Sequence, residues 1–87
     1  MINVAVIPAF KRRFDKLPAK LQAEALEKIE LFKDQGKHRA LRVHKLKGPF
    51  ADCYSFSVNF EYRIVFQYLT KKEVVLLMIG DHDVYDR

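Results

Sequence analysis

Cysteine, tryptophan, glycine and proline are scarce in this 87-residue chain, which has one cysteine, no tryptophan, and three residues each of glycine and proline. The single thiol, Cys53, cannot form an internal disulfide, and no spacing of cysteine and histidine suggests a zinc site. The scattered glycines form no loop that would wrap around the phosphates of a nucleotide. We therefore expect no structural metal and no cofactor, and the lone thiol fits a reducing cytoplasm.

Long hydrophobic runs and targeting signals are also missing. The longest apolar run, from Val74 to Ile79, is far too short to cross a bilayer. The N-terminus has neither the basic segment nor the apolar stretch of a secretory signal, and no helix pattern combines a basic face with a bulky apolar one. The sequence therefore predicts a cytoplasmic protein that does not bind membranes.

Apolar side chains are plentiful enough for one compact core. Hydrophobic residues make up 49% of the chain and include seven phenylalanines and four tyrosines, which argues against disorder. A chain of 87 residues leaves no room for a second core. We expect a single domain over residues 1–87.

Positive charge exceeds negative charge, with a formal net charge of +5 and a pI near 9.5. The excess is concentrated between residues 33 and 47, where Asp34 is the one acidic residue. Such a run of cations can follow a phosphate backbone and release its counterions, although a solvated helix end and edge strand give the same pattern. We expect RNA contacts from five residues: Lys37, Arg39, Arg42, Lys45 and Lys47.

Hydrophobic periodicity predicts one strand and two helices in the first half of the chain. Alternation makes residues 2–7 a strand, which Pro8 ends. Helical spacing follows over residues 10–17, and a second helix begins at Pro18 and ends at Gly36, a residue suited to a left-handed cap.

Four strands are predicted in the second half, at residues 40–46, 53–58, 62–69 and 73–79. The first would be an edge strand, and short turns join the other three into an antiparallel meander. The predicted fold is an α+β domain with an N-terminal strand, a helical hairpin and a meander sheet, with the helices packed on one face of the sheet.

The sheet face opposite the helices is predicted to carry the chemistry. Alternation directs Tyr54 and Phe56 to the core, so Ser55 and Ser57 point the other way, with Arg63 beside them on the next strand. One concave face would then gather seven side chains: His44, Ser55, Ser57, Glu61, Arg63, His82 and Tyr85.

These side chains match what metal-free RNA cleavage requires, namely a base for the 2′-hydroxyl, a cation for the phosphate and an acid for the leaving oxygen. His44 or Glu61 would be the base, Arg63 the cation, and His82 the acid with help from Tyr85. Purely structural roles stay open as alternatives. His82 can cap a turn, Tyr85 can pack as an aromatic side chain, and Arg63 can pair with Glu61. A metal bound by residues 81–83 is not expected, since adjacent side chains rarely point at one ion.

Six segments carry a family resemblance: the opening strand at residues 2–7, residues 10–18 at the entry to the helical hairpin, Lys45-Leu46-Lys47-Gly48, Asp52-Cys53-Tyr54, Tyr62-Arg63-Ile64-Val65-Phe66, and Ile79-Gly80-Asp81-His82-Asp83-Val84-Tyr85. In this order they resemble the RelE/ParE superfamily of bacterial and archaeal toxins from type II toxin–antitoxin pairs. The resemblance covers nearly the whole chain and implies the RelE-like, microbial-RNase-like fold.

In the RelE branch, the resemblance implies a ribosome-dependent mRNA endonuclease that inhibits translation and is blocked by a cognate antitoxin in a hetero-oligomer. Position by position, Arg63 matches the phosphate-clamping arginine of the family and Tyr85 its C-terminal tyrosine. His82 falls where the branch has an arginine or, in YafQ-like members, a catalytic histidine. His44 and Glu61 resemble a YafQ-like histidine and a nearby acidic residue.

The chain departs from the RelE pattern at Ser55 and Ser57, where RelE-type enzymes have basic residues and YafQ-like members a histidine. Serine is uncharged near neutral pH and cannot clamp a phosphate as lysine does. This departure is compatible with two alternative functions: a ParE-like inhibitor of DNA gyrase, and a toxin-fold binding protein with weak or no catalysis.

Overall fold

The computed structural model describes residues 1–81, which form five strands and two helices. The elements are β1 (Asn3–Val6), α1 (Pro8–Asp15), α2 (Ala19–Phe32), β2 (His44–Lys45), β3 (Tyr54–Ser57), β4 (Tyr62–Thr70) and β5 (Glu73–Asp81). Two short 3-10 turns, Gln35–Lys37 and Gly48–Phe50, flank β2. No helix within residues 1–81 is long and apolar enough to span a bilayer.

The strands form one sheet in the order β1-β5-β4-β3-β2. Strands β2 to β5 pair antiparallel, as the sequence predicted, whereas β1 pairs parallel to β5 at the other edge. Parallel strands cannot be joined by a tight turn, and here the helices and three strands of the chain lie between β1 and β5. The predicted α+β fold is confirmed, and the sheet is mixed.

Apolar residues of both helices pack against one face of the sheet. Phe32 of α2 has its ring centroid 4.5 Å from that of Phe56 on β3 and 4.7 Å from that of Phe66 on β4. Phe10 of α1 and Ala25 of α2 belong to the same buried cluster. The residues that alternate with these on β3 and β4 consequently point to the opposite face.

The segment between α2 and β3 differs from the prediction. The second helix ends at Phe32 instead of Gly36. Nε2 of His38 bonds the carbonyl oxygen of Phe32 at 2.7 Å, which satisfies one of the last carbonyl groups of the helix, and the two rings stack. Residues 35–42 form helical turns, so the strand predicted at 40–46 shrinks to His44–Lys45. Among residues 1–81 the left-handed conformation occurs at Arg42 and Gly48, not at Gly36.

Candidate functional site

Strand register determines which candidate side chains share a surface. Ser57 of β3 pairs with Arg63 of β4, which in turn pairs with Gly80 of β5. His44 of β2 pairs with Ser55, two residues earlier on β3. His44 and Arg63 therefore lie two strands apart on one face, with about 12 Å between their Cα atoms from strand geometry.

Arg63 is half-buried, and its guanidinium folds back onto the turn that precedes β4. Its Nη1 donates to the carbonyl oxygens of Asn59 at 2.7 Å, Tyr62 at 3.1 Å and Phe60 at 3.4 Å. No residue of 1–81 bonds its Nε or Nη2, so within this range three of its five N–H donors are unbonded and suited to a ligand. The alternative in which Arg63 pairs with Glu61 is not observed.

His44 is exposed, and its hydrogen bonds define its tautomer. Nδ1 lies 2.8 Å from the carbonyl oxygen of Arg42, and because a carbonyl only accepts, Nδ1 must carry the proton. In the neutral ring Nε2 then has the lone pair, and the hydroxyl of Ser55 lies 3.5 Å from it. This nitrogen is suited to accept a proton from a ligand.

The two serines differ sharply in accessibility. Ser55 is fully buried, whereas Ser57 is half-buried and reaches the surface. Val65, which pairs with Ser55 on this face, is fully buried as well. The prediction of one open concave face is therefore wrong at Ser55, which is covered. Alternation along a strand predicts which face a residue occupies, but it does not predict whether other residues cover that face.

A groove of about 450 Å³ opens at one end of the sheet, between α2 and the turn joining β3 to β4. Its charged side chains are Arg63, Arg42, Lys28 and Glu24, and Phe60 stands at its edge. Arg63 and Arg42 were predicted as site residues, and the other three were missed. An apolar residue in the otherwise polar turn 59–61 could have identified Phe60 as a candidate. No local sequence pattern shows that Lys28 and Glu24 of α2 lie beside this turn.

The predicted components thus divide into two places. Arg63, Arg42 and Ser57 line the groove, and His44 lies beside Ser55 outside its lining. Glu61 is exposed, and its backbone N–H donates to Oδ1 of Asn59 at 2.8 Å. His82 and Tyr85 lie outside the described residues 1–81.

The five cations predicted to bind RNA are all exposed. None of them forms an ion pair with an acidic residue of 1–81, where the pairs are Lys11–Asp15, Lys28–Glu27 and Lys33–Glu30. A cation without a protein partner can exchange its counterions for a phosphate at little cost. Within residues 1–81 no group of three or more histidine, cysteine or acidic side chains is arranged to hold a metal ion.

Among residues 1–81, Cys53 and Tyr68 are the groups whose pKa is shifted. Burial, and then the negative charge of Asp52, raise the pKa of the Cys53 thiol. Burial, and then Tyr54, raise the pKa of the Tyr68 hydroxyl. Both groups thus favour the protonated form and provide no ready nucleophile or base.

Comparison with known proteins shows the fold. No protein-family model matches the chain, and no curated protein matches it. Solved structures with a similar fold include a conserved hypothetical protein from Helicobacter pylori, 19% identical, with a TM-score of 0.73 over 95% of this chain and 97% of that one.

Two further similar structures come from complexes. The archaeal RelE-RelB complex from Pyrococcus horikoshii gives a TM-score of 0.72 at 17% identity over 95% of this chain and 97% of that one. The intact RelBE toxin-antitoxin complex from E. coli gives 0.71 at 20% identity over 93% and 96%. At these identities the likeness establishes a fold shared with solved RelE-type toxins.

Proposed function

We propose that this chain is the toxin of a toxin–antitoxin pair and that it cleaves mRNA on the ribosome without a metal, thereby stopping translation. The observation that carries the proposal is Arg63, a half-buried arginine with Nε and Nη2 unbonded within residues 1–81, on the central strand of a fold shared with RelE-type toxins. The exposed cations of residues 37–47, which form no ion pair with an acid of residues 1–81, support an RNA substrate. A cognate antitoxin would bind the chain in a hetero-oligomer and keep it inactive.

In the proposed reaction the 2′-hydroxyl oxygen attacks the adjacent phosphorus, and the bond from phosphorus to the 5′-oxygen breaks. The products are a 2′,3′-cyclic phosphate and a 5′-hydroxyl. Nε2 of His44 would take the 2′-proton, since Nδ1–H is held by the Arg42 carbonyl. Glu61 is the alternative base, because it is exposed and precedes Arg63 by two residues.

Arg63 would stabilise the charge on the phosphate oxygens through Nε and Nη2, while Nη1 anchors the side chain to the turn. An anchored guanidinium loses little side-chain entropy when it binds a phosphate, so its contribution is largely preorganised. His82 would protonate the leaving 5′-oxygen, and Tyr85 would assist it or stack on a base.

The test is mRNA cleavage by the purified chain on translating ribosomes, with cut sites mapped by primer extension. Arg63→Lys and His82→Ala should each lower the cleavage rate about 100-fold or more. Arg12→Lys, an equally conservative change at an exposed position on α1, is the matched control and should cut normally. An inactive wild-type chain, or an unaffected Arg63→Lys variant, would contradict the proposal.

A gyrase-inhibiting function is the second candidate, and the burial of Ser55 favours it. RelE-type enzymes have basic residues on β3, whereas this chain has the fully buried Ser55 and the half-buried Ser57 there. A supercoiling assay with purified DNA gyrase separates the two functions. Inhibition of supercoiling by a chain that cuts no mRNA would establish the gyrase target, and cleavage without inhibition would exclude it.

A further inference from the structure

The turn between β3 and β4 holds a phenylalanine in water. Phe60 is 93% exposed, the highest value among the exposed large hydrophobic residues of 1–81. A side chain in this position contributes almost nothing to the core, and its exposed apolar surface is unfavourable in the free protein. Single exposed apolar side chains are common on protein surfaces, so what points to a ligand is the order of this turn and the charges around it.

The turn is fixed by hydrogen bonds on both sides. Oδ1 of Asn59 accepts from the backbone N–H groups of Glu61 and Tyr62, both at 2.8 Å, and its Nδ2 donates to Oε1 of Glu24 at 2.7 Å. On the other side Nη1 of Arg63 binds the carbonyl oxygens described above. The ring of Phe60 is therefore presented on a backbone that is already ordered, so a ligand that stacks on it avoids much of the ordering cost.

The groove beside this ring is electropositive. Arg42 and Arg63 make no ion pair within residues 1–81, and Lys28 makes only a long one of 3.9 Å with the exposed Glu27. The acid that lines the groove, Glu24, is occupied by the side-chain amide of Asn59. Three cations around an exposed aromatic ring suit a ligand that carries both phosphates and flat bases.

We infer that this groove is a binding subsite for single-stranded RNA, in which one base stacks on Phe60 and the adjoining phosphates are held by Lys28 and Arg42. The inference deepens the proposed function and rests on it for the identity of the ligand. Arg63 lies at the boundary between the subsite and the proposed reaction centre. The subsite thus holds the nucleotide next to the scissile phosphate and gives Phe60 a role in positioning the strand.

The absence of tryptophan allows a direct test. Phe60→Trp keeps an aromatic surface and makes the new indole the only one in the chain, so its fluorescence reports contacts at this position alone. The probe is an RNA of about six nucleotides, within the size range of single-strand sites, fully 2′-O-methylated so that no 2′-hydroxyl can attack. Leu69→Trp, at an exposed position near the β4–β5 turn, is the matched control.

We expect the probe to quench the tryptophan of Phe60→Trp, through base stacking, and to leave that of Leu69→Trp unchanged. Phe60→Ala should weaken binding of a labelled probe roughly 5- to 100-fold without shifting the urea midpoint, whereas Leu69→Ala should do neither. Lys28→Gln and Arg42→Gln should each lower the slope of log affinity against log salt by about 0.7, and Lys20→Gln, elsewhere on α2, should not.

The outcomes separate this inference from the proposed function. Suppose that the wild-type chain cuts mRNA, but the probe does not quench Phe60→Trp and Phe60→Ala binds it normally. The inferred subsite is then wrong, and the nuclease proposal is unaffected. If the chain binds the probe through Phe60 but cuts nothing, the subsite stands and the nuclease fails. If Phe60→Ala leaves RNA binding intact and instead abolishes binding of a protein partner, the groove is a protein interface and the inference is wrong.

Discussion

At the scale of single residues, burial separates side chains that sequence pattern treats as equivalent. Ser55 and Ser57 lie on the same face of β3, yet Ser55 is fully buried and Ser57 lines the groove. The raised pKa of Cys53 likewise comes from its surroundings, first from burial and then from Asp52. Each difference has a measurable consequence.

Introducing a lysine at the two serines should give opposite results. Ser55→Lys would bury a charge and should lower the free energy of unfolding by about 2 kcal/mol or more. Ser57→Lys adds a cation at the groove and should strengthen RNA binding with little loss of stability. Urea unfolding and probe binding measure the two effects. Equal stability of the two variants would contradict the assignment of Ser55 as buried.

The Cys53 thiol should react slowly with iodoacetamide. Because its pKa is raised, the thiolate fraction at a given pH is below that of an ordinary thiol, and the reaction requires the thiolate. Alkylation at pH 8, followed by mass spectrometry, should be slower in the native chain than in the urea-unfolded one. Asp52→Asn should speed the native reaction, since it removes the second cause, whereas Asp34→Asn should not.

At the scale of elements, the β3–β4 turn is held in place by a helix far away in sequence. Asn59 and Glu24 are 35 residues apart and are joined by a 2.7 Å hydrogen bond. That contact binds α2 to the end of the sheet where the groove opens. Periodicity predicted both the helix and the strands, but no periodic pattern predicts which residue of one element bonds to a turn in another.

Reversing the polarity of this hydrogen bond tests its contribution. Asn59→Asp keeps the acceptor for the backbone N–H groups of 61 and 62 but replaces the donor with a carboxylate facing Glu24. We expect a loss of about 1–3 kcal/mol in the free energy of unfolding at pH 7. Adding Glu24→Gln restores a donor and should recover most of it. Failure of the double variant to recover in urea unfolding would show that the two side chains are not coupled.

At the scale of the whole molecule, one aromatic side chain joins the layers. Phe32 is fully buried at the end of α2 and stacks between His38 and Phe56. It therefore ties the helix, the basic segment that follows it and the sheet into one packed unit. Loss of this ring should loosen the groove as well as the core.

Phe32→Ala should lower the free energy of unfolding by about 3–5 kcal/mol, a large part of the roughly 5–15 kcal/mol typical of a natural domain. The reason is the cavity left among Phe56, Phe66 and His38. Phe14→Ala, at a half-buried ring on α1, is the comparison and should cost less. Urea unfolding followed by far-UV circular dichroism gives both values, and an equal loss at the two positions would contradict this account.

Local periodicity and short turns were sufficient to predict the α+β class, the helical hairpin, the β3–β5 meander and the faces of their residues. Four features became visible only in the folded chain: the parallel pairing of β1, the burial of Ser55, the anchoring of Arg63 to its own turn and the groove beside Phe60. Each of these depends on which distant segment covers a surface, and that is settled by packing across the whole chain. Residue spacing in the sequence does not show which distant segments come into contact.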